Sequence, residues 1–180
     1  MTEQKAKKKK FKTIDIVYIG LFAALIAVCA WISIPMTVSF TLQTCAVCLT
    51  AGLLGWKRGT LTVLVYILLG MVGLPVFTGF KSGIAAVTGP TGGYIVGFIF
   101  TALIVGLAAD RLGKRLWANI LFMAIGILVC YLFGTVWFMI AYKVTFVSAL
   151  TTCVIPFLIP DAVKIAVAAI LVNRLKKFVK

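Results

Sequence analysis

The chain has 180 residues, 63% hydrophobic and only 12% charged, with a formal net charge of +14 and no histidine. A soluble domain carries about 25% charged residues, and one this small leaves much of its surface in water, so an aqueous globule is excluded and lipid is the expected solvent. The basic residues lie in short clusters between apolar runs, a pattern that marks membrane topology rather than nucleic-acid binding; no nucleic-acid partner is expected.

A membrane helix needs about 20 mostly apolar residues. The first candidate, Ile14–Ile34, follows a tail whose Lys5, Lys7–Lys10 and Lys12 suit anionic lipid headgroups. Its order of positive then apolar residues is like that of a signal peptide. No small-residue cleavage site leads into a polar segment, however, so the run is read as a retained membrane helix. Within it Ala23 and Ala27 form a small-xxx-small stripe. Residues Thr37 to Gln43 then alternate with several hydroxyls, which predicts a short extended hairpin or loop on the external side. Two short apolar runs follow, Leu42–Leu54 and Thr60–Leu74. The Gly55-Trp56-Lys57-Arg58-Gly59 between them reads as a tight turn joining antiparallel helices.

The stretch from Pro75 to Pro90 is rich in glycine and threonine and is expected outside the membrane. A fourth crossing covers Gly92–Ala109 and a fifth Trp117–Tyr142. The last apolar run, from Val144 to Val172, would make a helix of about 43 Å at 1.5 Å per residue, too long for a ~30 Å hydrocarbon core. Pro156 and Pro160 interrupt it, which predicts a partial external helix before Pro156 and then the true crossing to Arg174. Counted back from Arg174, Asp161 falls about 20 Å from the inner boundary.

Six crossings place the N-terminal tail, Lys57 and Arg58, the connection holding Arg111, Lys114 and Arg115, and the basic C-terminus on one side. Those clusters hold 15 of the 18 basic residues, and the positive-inside rule makes that side cytoplasmic. The expected fold is therefore all-α: residues 1–13 a basic cytoplasmic tail, 14–175 a six-helix transmembrane domain, and 176–180 a basic cytoplasmic end. Lys81, Lys143 and Lys164 break the pattern, and exceptions of this kind are where function is sought.

Asp161 and Lys164 carry the clearest signal. Ionisable groups inside a membrane helix cost about 2.5–3.5 kcal/mol each on insertion scales and usually face the bundle interior or a wet cavity. At i and i+3 they share a helix face. The pair is either a self-neutralising structural contact or the polar end of a pocket. Gly89-Pro90-Thr91-Gly92-Gly93-Tyr94 opens the fourth helix with free N–H groups. Its glycines read as close helix packing in a stripe with Gly97 and Thr101, while Thr91 and Tyr94 are candidates to face a ligand. Gln43, near the outer mouth, could hydrogen-bond an amide or urea, or simply cap its helix.

Cys45 and Cys48 form a CxxC, but without histidine or further paired cysteines they read as small apolar residues in an apolar run. No metal site or cofactor is expected. Asp15 and Asp110 sit at cytoplasmic helix ends, and the sequence has no carboxylate pair and no G-x-x-x-x-G-K-[ST] phosphate loop. No catalytic residue is assigned, and energy for uphill transport would have to come from other subunits.

Four segments in order, Phe40-Thr41-Leu42-Gln43-Thr44, Gly70 through Gly73-Leu74-Pro75-Val76-Phe77, Thr88-Gly89-Pro90-Thr91-Gly92-Gly93-Tyr94 and Pro156-Phe157 to Pro160-Asp161-x-x-Lys164, give the chain its resemblance to a known family. It resembles BioY, the biotin-binding S components of energy-coupling factor (ECF) transporters. The resemblance implies a six-helix S component that binds biotin from outside and works with a transmembrane coupling subunit and two ATP-binding-cassette ATPases. It implies that Asp161 accepts the ureido N–H groups, that Lys164 pairs with the valerate carboxylate, and that the Thr91–Tyr94 region and the loop around Phe77 and Lys81 close the pocket. It also implies that the Ala23/Ala27 stripe docks on the coupling subunit. Family members often carry Gly-Asp in the last motif, where this chain has Ile159-Pro160 before Asp161. The alternatives are an S component for another small vitamin, a membrane thiol-redox protein using Cys45 and Cys48, and an assembly subunit without a ligand.

Overall fold

The computed structural model describes residues 12–36, 38–113 and 115–178. The lysine run 5–10, Thr37, Lys114 and Lys180 lie outside the described residues. The elements in order are α1 (Thr13–Trp31), a two-residue hairpin of β1 (Ser33–Ile34) and β2 (Phe40–Thr41), α2 (Gln43–Val72), α3 (Ile84–Thr88), α4 (Gly92–Leu112), α5 (Leu116–Tyr142), α6 (Phe146–Cys153) and α7 (Leu158–Leu175). The hairpin is antiparallel, with Ser33 opposite Thr41 and Ile34 opposite Phe40.

α2 is two limbs rather than one rod. Gly55, at φ 75° and ψ −177°, breaks the helical geometry in a region open essentially to glycine alone. Gln43 Nε2 donates to Tyr66 Oη at 2.9 Å, although 23 residues of straight helix would separate them by about 35 Å. The limbs 43–54 and 56–72 therefore run antiparallel and pack closely: a Cβ on Gly59 would sit 2.8 Å from the Cα of Ala51. Among the described residues, five helical stretches are long and apolar enough to cross a membrane. With α2 folded back on itself they give six limbs, in agreement with the expected six-helix bundle.

One end of the bundle is stitched by charge. Arg58 pairs with Asp15 at 2.8 Å, Asp110 accepts from the Trp56 backbone N–H at 3.1 Å, and Lys176 Nζ donates to the Ala109 carbonyl at 2.6 Å. The start of α1, the reversal of α2, the end of α4 and the end of α7 thus share a face. This is the face on which the basic clusters were expected, and it is cytoplasmic by the positive-inside rule.

α4 and α5 approach closely because glycine lets them. A Cβ at Gly97 would lie 2.9 Å from the Cα of Cys130, and the next turn is fixed by Thr101 Oγ1 donating to the Gly126 carbonyl at 2.8 Å. Gly89 stands apart from this stripe; its carbonyl instead accepts the Trp137 indole N–H at 3.0 Å. Val72, Trp117, Ile140 and Ile159 are among many large apolar side chains left exposed, as a surface solvated by lipid requires.

Candidate substrate-binding site

The C-terminal apolar run divides as its prolines dictate: α6, a 3₁₀ turn at Ile155–Phe157, then α7. Pro160 falls in the first turn of α7, where a missing N–H costs no intrahelical bond. Asp161 occupies the same turn, a position that favours negative charge. Lys164 follows one turn later on the same face.

Both charges are buried, Asp161 at 3% and Lys164 at 6% exposure. Lys164 Nζ sits 2.7 Å from Asp161 Oδ1. The Thr44 hydroxyl bridges them, donating to that carboxylate oxygen and accepting from the ammonium, each at 3.4 Å. Tyr131 Oη donates to the other oxygen, Oδ2. The ammonium lies 3.9 Å above the Phe40 ring centroid, a cation–π contact. Removing two charges from water costs several kcal/mol per ion, and their attraction offsets this only with good geometry and further hydrogen bonds. Four elements (β2, α2, α5 and α7) supply those partners, so the cluster is built by the fold rather than by α7 alone.

The cluster faces a recess within the bundle lined by apolar and aromatic side chains with a few polar groups among them, the make-up usual for small-molecule sites. Asp161, Lys164, Tyr94, Thr91, Gln43 and Phe77 all line it. Gln43 is held by Tyr66, and the Thr78 hydroxyl donates to its Oε1 at 3.5 Å. Tyr66 Oη in turn donates to the Val76 carbonyl at 3.0 Å, which ties the start of α2 to the loop beyond its end. Tyr94 Oη donates to the Cys153 carbonyl at 2.6 Å, leaving its ring and an oxygen lone pair to the cavity wall. Phe77 plugs the wall against Gly70, where a side chain would collide with its ring, and meets Tyr66 edge-on at 5.6 Å.

One expectation needs revision. Ala23 and Ala27, assigned to partner docking, are 3% and 5% exposed and belong to the apolar core of the bundle. They cannot present a docking surface; the small residues of α1 that face outward are Gly20 and Ala24. A four-residue stripe recurs on two faces of this alanine-rich helix, and spacing alone does not say which is inside. Lys164 engages the Asp161 carboxylate, a pairing that the shared helix face allowed, while both residues also line the recess.

The five cysteines are free thiols. Cys48 is in the core, and the Cys45 thiol points to the Lys164 carbonyl at 3.6 Å, which is the packing role expected of them. Sequence reasoning passed over Tyr131 and the part played by Phe40. A tyrosine in the middle of an apolar helix was the available signal, since a buried phenol needs a hydrogen-bond partner.

These features define a class: a polytopic membrane protein with a polar-floored solute cavity set among its helices. The chain belongs to the BioY family, whose model matches residues 3–180. It is 44% identical over 163 residues to the biotin transporter BioY of Thermotoga maritima, covering 88% of this chain and 93% of that one. It is 41% identical over 166 residues to a probable biotin transporter BioY of Pyrococcus horikoshii, covering 92% and 98% respectively. Its fold is similar to the crystal structure of the S-component for biotin from an ECF-type ABC transporter. The TM-score is 0.86 at 25% identity, over 93% of this chain and 95% of that one.

Proposed function

We propose that this chain is the substrate-binding S subunit of a vitamin uptake system in the cell membrane, taking biotin from the external side. The observation that carries the reading is the buried Asp161–Lys164–Tyr131–Thr44 cluster facing a cavity within the bundle. Biotin presents two ureido N–H donors, a urea oxygen, an apolar bicycle and one carboxylate. The Asp161 carboxylate accepts from the ureido N–H groups, Lys164 or Tyr131 donates to the urea oxygen, and Phe77, Tyr94 and Phe157 enclose the bicycle. Gln43 and Thr91 supply further polar contacts along the wall. The likeness to biotin transporters supports this ligand over another small vitamin.

ATP hydrolysis falls to partner chains: a transmembrane coupling subunit and two ATP-binding-cassette ATPases. The absence of a phosphate loop from the sequence supports that division of labour.

The test is calorimetric titration of the purified, detergent-solubilised chain with biotin and with a panel of other vitamins. One saturable site for biotin, unmatched by the others, is expected. Absence of biotin binding, or tighter binding of another vitamin, would overturn the assignment.

A further inference from the structure

Tyr66 stands behind the cavity rather than in it. Gln43, Phe77 and Thr78 line the recess, while Tyr66, at 0% exposure, is sealed in the core on the second limb of α2. A phenol has one proton to give and can accept as well. The Val76 carbonyl, 3.0 Å away, can only accept, so it takes the Tyr66 proton. Tyr66 Oη must then accept from its other partner, and the Gln43 amide at 2.9 Å can meet that need only through Nε2. Amide oxygen and nitrogen are told apart by such networks, and this one admits a single orientation. Oε1 is thereby turned to the Thr78 hydroxyl, at 3.5 Å a much longer contact. One N–H and one lone pair of the amide remain for the recess.

Both ends of this relay are anchored. The Gln43 backbone N–H donates to Thr41 Oγ1 at 3.2 Å, and the residue is buried. Beside Val76, the Pro75 carbonyl accepts the Trp31 indole N–H at 2.8 Å. The Phe77 ring fills the space over Gly70 and meets the Tyr66 ring edge-on.

We infer that Tyr66 is a positioning residue: it acts on the ligand through Gln43, holding that amide in one orientation so that a fixed donor and a fixed acceptor serve the recess. The inference rests on the biotin reading above. Biotin carries both N–H groups and oxygens, so a wall amide contributes only when the correct atom faces each. An amide free to turn over must also lose its rotamer freedom when the ligand arrives, a cost that holding it in advance removes. Phenylalanine at position 66 would keep the ring and take away the acceptor that selects Nε2.

The test is a double-mutant cycle read by biotin titration of the parent, Tyr66→Phe, Gln43→Leu and the double variant. Tyr66→Phe should weaken binding about fivefold, the size of one lost hydrogen bond, and Gln43→Leu by at least as much. The double variant should bind within about twofold of Gln43→Leu alone, because the residue through which Tyr66 acts is already gone. Tyr66→Phe or Gln43→Leu binding as the parent does overturns the inference. So does a Tyr66→Phe effect of equal size in both backgrounds, which would mark a purely structural role. Should Tyr66→Phe not fold, a biotin-bound structure of the parent decides: Gln43 Nε2 should still meet Tyr66 Oη with the amide against the ligand, and an amide turned over or out of reach of biotin overturns the inference. A parent that binds no biotin defeats the biotin reading itself.

Discussion

Replacing Lys164 by alanine removes one half of an ion pair that the bundle holds almost entirely out of contact with solvent. Asp161 would be left with the Tyr131 and Thr44 hydroxyls and no counter-charge. Breaking a buried pair in this way costs about 3–5 kcal/mol, most of it the penalty for the charge left behind. Replacing both partners by neutral residues of similar volume is often close to neutral. Lys164→Ala should therefore unfold at markedly lower temperature than the parent, while Asp161→Asn combined with Lys164→Met should recover most of the loss. Neither variant should bind biotin normally. Each charge-assisted hydrogen bond lost to the ligand is worth about 1.5–3 kcal/mol, roughly 10- to 150-fold in Kd. Thermal unfolding of the detergent-purified proteins separates the first effect from the second, which biotin titration reads. A Lys164→Ala protein that melts with the parent and binds biotin unchanged would refute the reasoning on both counts.

Tyr131→Phe keeps the ring but removes the donor to Asp161, and it should weaken biotin binding by about tenfold or more in the same titration. Gly55→Ala forces a side chain into a glycine-only backbone region and into the Asp110 carboxylate. It should lower thermal stability by about 1–3 kcal/mol, with the biotin affinity of the folded fraction unchanged. Replacing Cys45 and Cys48 together by alanine should leave biotin affinity within about twofold of the parent; abolished uptake in cells with binding preserved would instead favour thiol chemistry.

Much of this molecule could be read before its coordinates. Charge clusters separated by apolar runs gave the crossings, because lipid leaves basic residues few places to stand. Gly55 through Gly59 marked the reversal of α2, and Pro156 and Pro160 the division of the last run, since both residue types restrict the backbone locally. Asp161 and Lys164 were conspicuous because charge inside a membrane helix demands compensation. The compensation itself was not legible. That Tyr131, 30 residues earlier, meets Asp161, and that Phe40 lies beneath the ammonium, depends on how α5 and β2 pack against α7. The rotation of α1 was hidden for the same reason: Gly20/Ala24 and Ala23/Ala27 have the same spacing, and only neighbouring helices decide which pair faces inward.

The most direct test is a crystal structure of the chain grown with biotin. The ureido nitrogens should lie within about 3 Å of the Asp161 carboxylate and the bicycle between Phe77 and Tyr94. Biotin found outside this recess, or lodged in it with its ureido ring turned away from Asp161, would contradict the account.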